Sequence, residues 1–197
     1  MRTMLRVVLA AAVAAALFFF AYTLVTSVWF TATGEVPNAA LEKMVASSSS
    51  TPSRILIPSL DIDAKVQKVG VKADGNMATP SNFADVAWYK YGTVPGQLGS
   101  AVISGHVDNG LALAGVFKHL TELRVGDDVY VEQQDGSTLH FVVEAIESYP
   151  YKDAPAEKIF AQNDAARLNL VTCEGVWVKS EKTYDRRLVV YTKLVAS

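Results

Sequence analysis

The chain opens with a long apolar run behind a short basic stretch. Residues 2 and 6 are arginines, and residues 7–30 contain no charged side chain. A helix rises about 1.5 Å per residue, so such a run is long enough to cross a hydrocarbon core of about 30 Å. The arginines favour a cytoplasmic N-terminus. We expect residues 1–6 to be cytoplasmic and residues 7–30 to form a transmembrane signal-anchor helix. A cleaved signal peptide would have a shorter apolar core.

Small polar residues follow the apolar run. Residues 47–52 are four serines, a threonine and a proline, without the apolar side chains that offset the entropy of ordering. We therefore predict that residues 31–53 form a flexible linker, which spaces a globular domain from the bilayer. The domain is then residues 54–197.

Short apolar and alternating runs, separated by Gly, Pro and Asp turns, make up the domain. An alternation with a period of two is typical of a strand. The pattern predicts strands at residues 54–58, 64–69, 101–104, 129–132, 139–146, 168–172 and 187–194, and short helices near residues 116–120 and 156–160. Many short strands with little helix indicate an all-β fold, either a closed barrel or a sandwich.

Composition narrows the functional classes. The net charge of −2 gives no basic face for nucleic acid. The single cysteine excludes an intrachain disulfide and a cysteine-rich zinc site. Glu174 and Glu181 are scattered carboxylates, and such pairs are usually solvated, so we predict no metal and no cofactor. His119 and His140 are expected to be surface or strand histidines without a role.

The only cysteine, Cys173, ends the alternating run at residues 168–172. Glu174 and Gly175 come next, so the pattern predicts a thiol where a strand opens into a loop. Catalytic residues are common at such positions, because a rigid element aims them and a loop admits substrate. The competing interpretation is a buried structural thiol, since free cysteines are among the most buried residues.

Two other strand ends carry groups that would complete a thiol site. His106 follows a short buried strand, and Arg187 begins the last strand. An imidazole can accept the proton of a thiol and later protonate a leaving amine. A guanidinium stays charged while it stabilises a developing oxyanion. With Cys173 these side chains would form an amide-cleaving site.

Three segments resemble signatures of the sortase family. Residues 170–173 (LVTC) are similar to the family's Thr-Leu-x-Thr-Cys signature, residues 103–108 (ISGHVD) to its histidine segment, and residues 187–190 (RLVV) to its arginine strand. All three occur in the family's order. The resemblance implies an eight-stranded closed β-barrel of the sortase type with one or two short helices, and the activity of a cysteine transpeptidase.

The same resemblance implies a reaction and its partners. Cys173 would attack a C-terminal sorting motif of the LPxTG kind in a surface protein and form a thioacyl intermediate. An amine of the cell wall or of another protein would resolve it. His106 would be the general acid and base, and Arg187 would steady the substrate or oxyanion. The enzyme would be anchored in the cell membrane with its catalytic domain outside. The alternatives are a cysteine hydrolase on the same fold and a non-catalytic barrel that binds wall peptides.

Several neighbouring residues are candidates for supporting roles. Side chains alternate along a strand, so only one of Arg186 and Arg187 should face Cys173, and the sequence pattern favours Arg187. Asp108 either orients His106 or begins a turn. Thr172 either supports Cys173 through its hydroxyl or is simply a good strand residue.

Features outside the signatures bear on the type of sortase. No hydrophobic segment follows residue 194, and the linker contains no Asp-Pro-aromatic lid motif. Both favour a housekeeping-like or class E/F-like sortase over the pilin-polymerising type. Asn169 stands where the family's cysteine signature has a threonine, so we expect the packing of this strand to differ.

Overall fold

The computed structural model describes residues 2–29, 33–35, 50–109 and 113–195. An α-helix, α1 (Arg2–Trp29), precedes the domain. Across these described residues, no helix combines the length and the apolar character that crossing a membrane requires.

The domain is a closed barrel of eight strands. Around the barrel the strand order is β1-β2-β3-β4-β7-β8-β6-β5, and β5 pairs with β1 to close the sheet. A short helix, α2 (Ala156–Phe160), lies between β6 and β7. The predicted all-β fold and closed barrel are therefore confirmed, and the sandwich alternative is wrong. The strands are β1 (Pro52–Ile57), β2 (Ile62–Val69), β3 (Val86–Tyr89), β4 (Gly99–Gly105), β5 (Asp128–Gln133), β6 (Thr138–Pro150), β7 (Ala166–Val178) and β8 (Thr183–Leu194).

One strand was not predicted, and several boundaries differ from the sequence pattern. The last strand begins at Thr183, so the prediction that Arg187 begins it is wrong. Three of the four residues of β3 are buried, including Trp88, so its sequence shows no alternation. The domain begins at Pro52, two residues before the predicted start, because Pro52 already pairs with Gln133 of β5. The helical turn expected near residues 116–120 is a 3-10 helix at Leu120–Glu122.

The inward positions of the strands form one apolar core. Trp88, Phe117 and Phe141 are fully buried within it. In β7 the even-numbered residues Leu168 and Leu170 point into this core, so the odd-numbered residues face the outer wall. Cys173 is therefore on the outside of the barrel.

Part of the predicted linker lies against the domain. Glu35 forms an ion pair with Lys90 and an isolated β-bridge with Lys72. The backbone N–H of Thr79 donates to the carbonyl of Thr33 at 3.5 Å. The described residues 33–35 thus contact the loop that joins β2 to β3.

A buried amide connects α2 to β7. Asn169 is fully buried, and its Nδ2 donates to the carbonyl of Ile159 at 2.6 Å. A threonine hydroxyl at this position would be shorter than the amide. Asn169, which stands where the family signature has a threonine, therefore bonds directly to α2.

We predict that Asn169→Leu lowers the free energy of unfolding by about 1–3 kcal/mol, because a buried carbonyl would lose its donor. The measurement is urea denaturation of the folded domain. Asn163→Leu makes the same change at an exposed position and should have little effect. Equal stability of the two variants would contradict the role given to Asn169.

Candidate active site

A groove on the outer wall of the barrel contains the three predicted residues. Its cavity has a volume of about 620 Å³ and is lined by Cys173, His106 and Arg187 together. Ile159 and Phe160 of α2 form part of one wall. The structure thus brings a thiol from β7, a guanidinium from β8 and an imidazole from the residue after β4 into one concave site.

Strand pairing places His106 and Cys173 side by side. β4 and β7 are parallel, and Ser104 pairs with Val171. His106 and Cys173 each lie two residues farther along, at the same end of the barrel. Thr172 connects the two strands, because its buried hydroxyl donates to the carbonyl of Gly105 at 2.9 Å. This hydroxyl fixes the backbone residue that directly precedes His106.

The prediction that the strand opens into a loop at Cys173 is wrong. β7 continues to Val178, and the pairing with β8 shifts register between Glu174 and Trp177. Gly175 has a φ of 87°, which favours glycine, so it forms a bulge. A Cβ there would also collide with the Asp185 carboxylate. Glu174 and Gly175 thus bend the strand, which does not end there.

The environment of His106 fixes the tautomer of its neutral ring. Nε2 is 3.1 Å from the carbonyl of Pro80. A carbonyl only accepts, so Nε2 carries the proton and Nδ1 is the basic nitrogen. The ring also packs on Phe83, with centroids 4.8 Å apart. Burial lowers the pKa of His106 below its usual 6.5, and the carbonyl of Pro80 and the charge of Asp108 oppose this shift.

Arg187 is the arginine that shares the groove with Cys173. The two residues are direct partners across β7 and β8, and directly paired side chains lie on the same face. Nη1 of Arg187 donates to the carbonyls of Tyr184 and Arg186, at 3.0 Å and 2.8 Å. The guanidinium also lies over the ring of Tyr151, 4.4 Å from its centroid.

Arg186 has a different environment. It pairs with Glu174, and its Nε donates to the hydroxyl of Ser148 at 2.8 Å. It does not line the groove. The predicted alternation of the two arginines therefore agrees with their placement, and Arg186 is held by the neighbouring strand β6.

Asp108 lies two residues beyond His106, but its hydrogen bond goes elsewhere. Its Oδ2 accepts from the hydroxyl of Tyr184 at 2.6 Å, and the ammonium of Lys118 is 3.7 Å away. Asp108 therefore acts on the imidazole through its charge, and the carbonyl of Pro80 orients the ring.

The charge states follow from burial. Burial raises the pKa of the Cys173 thiol above its usual 9.0, and the positive charge of Arg187 offsets part of the increase. The pKa of His106 shifts in the opposite direction. A neutral thiol beside a neutral imidazole is thus the resting state, and the reactive thiolate and imidazolium form a minor population.

The remaining candidates are paired with other charged side chains. His119 and His140 contact surface carboxylates at 2.6 Å. Glu181 lines the groove and forms an ion pair with Lys152. Within the described ranges, no three His, Cys, Asp or Glu side chains come together as a metal site would require.

The sequence does not reveal three groups that contact the site residues. The carbonyl of Pro80 holds His106, the ring of Tyr151 packs on Arg187, and the hydroxyl of Tyr184 bonds Asp108. A backbone carbonyl leaves no signal in a sequence. The tyrosines contact residues far away in the chain, and only the barrel topology brings them together.

A thiol, an imidazole and a guanidinium that share one groove have the chemistry that thiol-dependent acyl transfer requires. Residues 55–195 match the family model described as the Sortase domain. The chain therefore belongs to the sortase family, whose members are cysteine transpeptidases.

Solved sortases have a similar fold. Sortase A from Corynebacterium diphtheriae has a TM-score of 0.57 and 24% identity, over 75% of this chain and 61% of that chain. Sortase C-1 from Actinomyces oris has a TM-score of 0.64 and 20% identity, over 86% of this chain and 88% of that chain. Sortase C-1 from Streptococcus pneumoniae has a TM-score of 0.55 and 21% identity, over 74% and 67%. No curated protein matches the chain.

We predict that iodoacetamide alkylates Cys173 slowly at neutral pH and faster as the pH rises above 9.0, because only the thiolate reacts. Mass spectrometry of the protein over a pH series measures the rate. Arg187→Gln should move the rise to still higher pH, since it removes the positive charge beside the sulfur. A rate that is already maximal at pH 7 would contradict the neutral resting thiol.

Proposed function

We propose that this sortase cleaves a C-terminal sorting motif of the LPxTG kind and joins the acyl fragment to an amine of the cell wall or of another protein. The proposal rests on one observation. Cys173 and Arg187 are cross-strand partners, and His106 directly follows β4, the parallel neighbour of β7, at the same end of the barrel. These groups supply the nucleophile, the oxyanion donor and the proton carrier of acyl transfer.

In the first half-reaction the thiolate of Cys173 attacks the scissile carbonyl. The imidazolium of His106 protonates the leaving amine, which departs as the C–N bond breaks and a thioacyl group remains on sulfur. The neutral ring keeps its Nε2 proton on the carbonyl of Pro80, so Nδ1 is the nitrogen that exchanges protons. The second half-reaction reverses these proton transfers with a new amine.

Arg187 is suited to stabilise the oxyanion because its position is fixed before substrate arrives. Two backbone carbonyls, the hydroxyl of Thr183 at 2.8 Å and the ring of Tyr151 hold the guanidinium. These contacts use the protons of Nη1 and one of Nη2. Among the residues that the structure describes, Nε and the second Nη2 proton have no bonded partner, so they can donate to substrate. A donor held in place in this way costs little reorganisation during the reaction.

We also propose that the enzyme is a single-pass membrane protein with its catalytic domain outside the cell. The uncharged run at residues 7–30 and the arginines at positions 2 and 6 support this arrangement. The missing lid motif in the linker supports a housekeeping-like or class E/F-like type.

The direct test incubates the full chain in detergent with an LPxTG-type peptide and a primary amine. We expect a new amide between the peptide's threonine and the amine, and a thioacyl adduct on Cys173 when the amine is omitted. Mass spectrometry detects both species. Cys173→Ala should give neither. Hydrolysis alone, at every amine concentration, would favour the hydrolase, and binding without cleavage would favour the non-catalytic barrel.

We predict that Arg187→Ala lowers kcat by about 10²–10³-fold, the usual cost of losing an oxyanion donor. Arg186→Ala is the matched control, because Arg186 bonds Ser148 outside the groove, and kcat should change little. Steady-state kinetics on the same peptide gives both values. A larger loss in Arg186→Ala would contradict the assignment.

A further inference from the structure

One anion beside the catalytic residues has no role in the reaction described so far. The carboxylate of Asp108 is only 14% exposed and lies two residues beyond His106. Oδ2 accepts from Tyr184 at 2.6 Å, while Oδ1 has no donor in the part of the chain that the structure describes. The backbone of Asp108 is held in place, because Asp108 pairs with Ala114 in an isolated bridge.

The neighbours of this carboxylate show what it can bind. The ammonium of Lys118 is 3.7 Å from Oδ2, an ion-pair distance that is longer than a hydrogen bond. The lysine side chain is 40% exposed, so it can move away. Asp108 therefore already attracts a primary ammonium, and the hydroxyl of Tyr184 joins it to β8, the strand that carries Arg187.

Formation of the thioacyl intermediate does not require the negative charge of Asp108. The negative charge of Asp108 raises the pKa of His106, which favours the imidazolium, but it also raises the pKa of Cys173, which disfavours the thiolate. These effects oppose each other in the ion pair that attacks the peptide. Asp108 follows the groove residue His106 by two positions, and its partner Tyr184 follows the groove residue Thr183, so the carboxylate lies beside the groove in which the second substrate must react.

We propose that Asp108, held by Tyr184, is the subsite that recruits the ammonium group of the acceptor. The inference rests on the proposed transpeptidase function and concerns its second half-reaction. The ligand is a primary ammonium, carried either by a peptide N-terminus or by a lysine side chain.

Two protons leave the acceptor nitrogen in this half-reaction. The ammonium binds at Asp108 and gives one proton to Nδ1 of the neutral His106. The neutral amine attacks the thioacyl carbonyl, a C–N bond forms and the C–S bond breaks. The departing sulfur of Cys173 takes the second proton from nitrogen, which leaves an amide, a thiol and an imidazolium.

The test measures how the thioacyl enzyme partitions between amide formation and hydrolysis. This ratio does not depend on the amount of active enzyme or on the acylation rate. The full chain is acylated with an LPxTG-type peptide and offered triglycine, Nα-acetyl-lysine amide or hydroxylamine. The first two are cationic at pH 7, and hydroxylamine is neutral.

We expect Asp108→Asn to lower the ratio about tenfold for the cationic amines, because a charge-assisted contact is lost. The ratio for hydroxylamine should be unchanged. A larger fall for triglycine identifies an N-terminal acceptor, and a larger fall for the lysine derivative identifies a side-chain acceptor. Asp135→Asn changes an exposed turn on the far hairpin and should match the wild type. Tyr184→Phe should give a smaller selective fall.

Salt provides a second measurement on the unaltered chain. The ratio for the cationic amines should fall as NaCl increases, while that for hydroxylamine stays constant. An equal fall with all three nucleophiles in Asp108→Asn, or no fall, would overturn the proposal. If the unaltered chain transfers its acyl group to none of them, the proposed function itself fails, which is a distinct result.

Discussion

The parallel pairing of β4 with β7 is the constraint on which the site depends. Because the two strands run in the same direction, the residue after β4 and the cysteine of β7 emerge at the same end of the barrel. The antiparallel β8 then places Arg187 directly opposite Cys173. A shift of one residue in either ladder would turn one side chain to the other face of the sheet. The buried hydroxyl of Thr172, bonded to the carbonyl of Gly105, helps to fix the first of these registers.

Burial in the groove controls the charge of Cys173 and His106. It favours the neutral thiol and the neutral imidazole, while the fixed guanidinium of Arg187 partly restores the thiolate. Backbone carbonyls orient the imidazole and the guanidinium of the site. The carbonyl of Pro80 holds the ring of His106, and the carbonyl of Tyr184 holds Arg187. The reactive ion pair is thus rare, but its members are already in position when it forms.

The sequence predicts most of the barrel, because inward and outward residues alternate in strands with one buried face. It misses β3, whose Trp88 and neighbours are buried on both faces and show no alternation. The sequence suggests that β7 ends near Gly175, because the local sequence of a β-bulge resembles that of a strand end. The family signatures identify Cys173, His106 and Arg187, although Cys173 and Arg187 lie inside their strands and not at the predicted strand ends. The contact of Tyr184 with Asp108 spans 76 residues and requires the folded topology.

The most direct test of this geometry is a crystal structure of the enzyme with a substrate-like peptide joined to the sulfur of Cys173. The account predicts that the peptide lies along the groove, with its carbonyl oxygen within hydrogen-bonding distance of the Arg187 guanidinium. Nδ1 of His106 should face the position of the leaving nitrogen. A peptide carbonyl directed away from Arg187, with His106 separated from the sulfur by other side chains, would contradict the account.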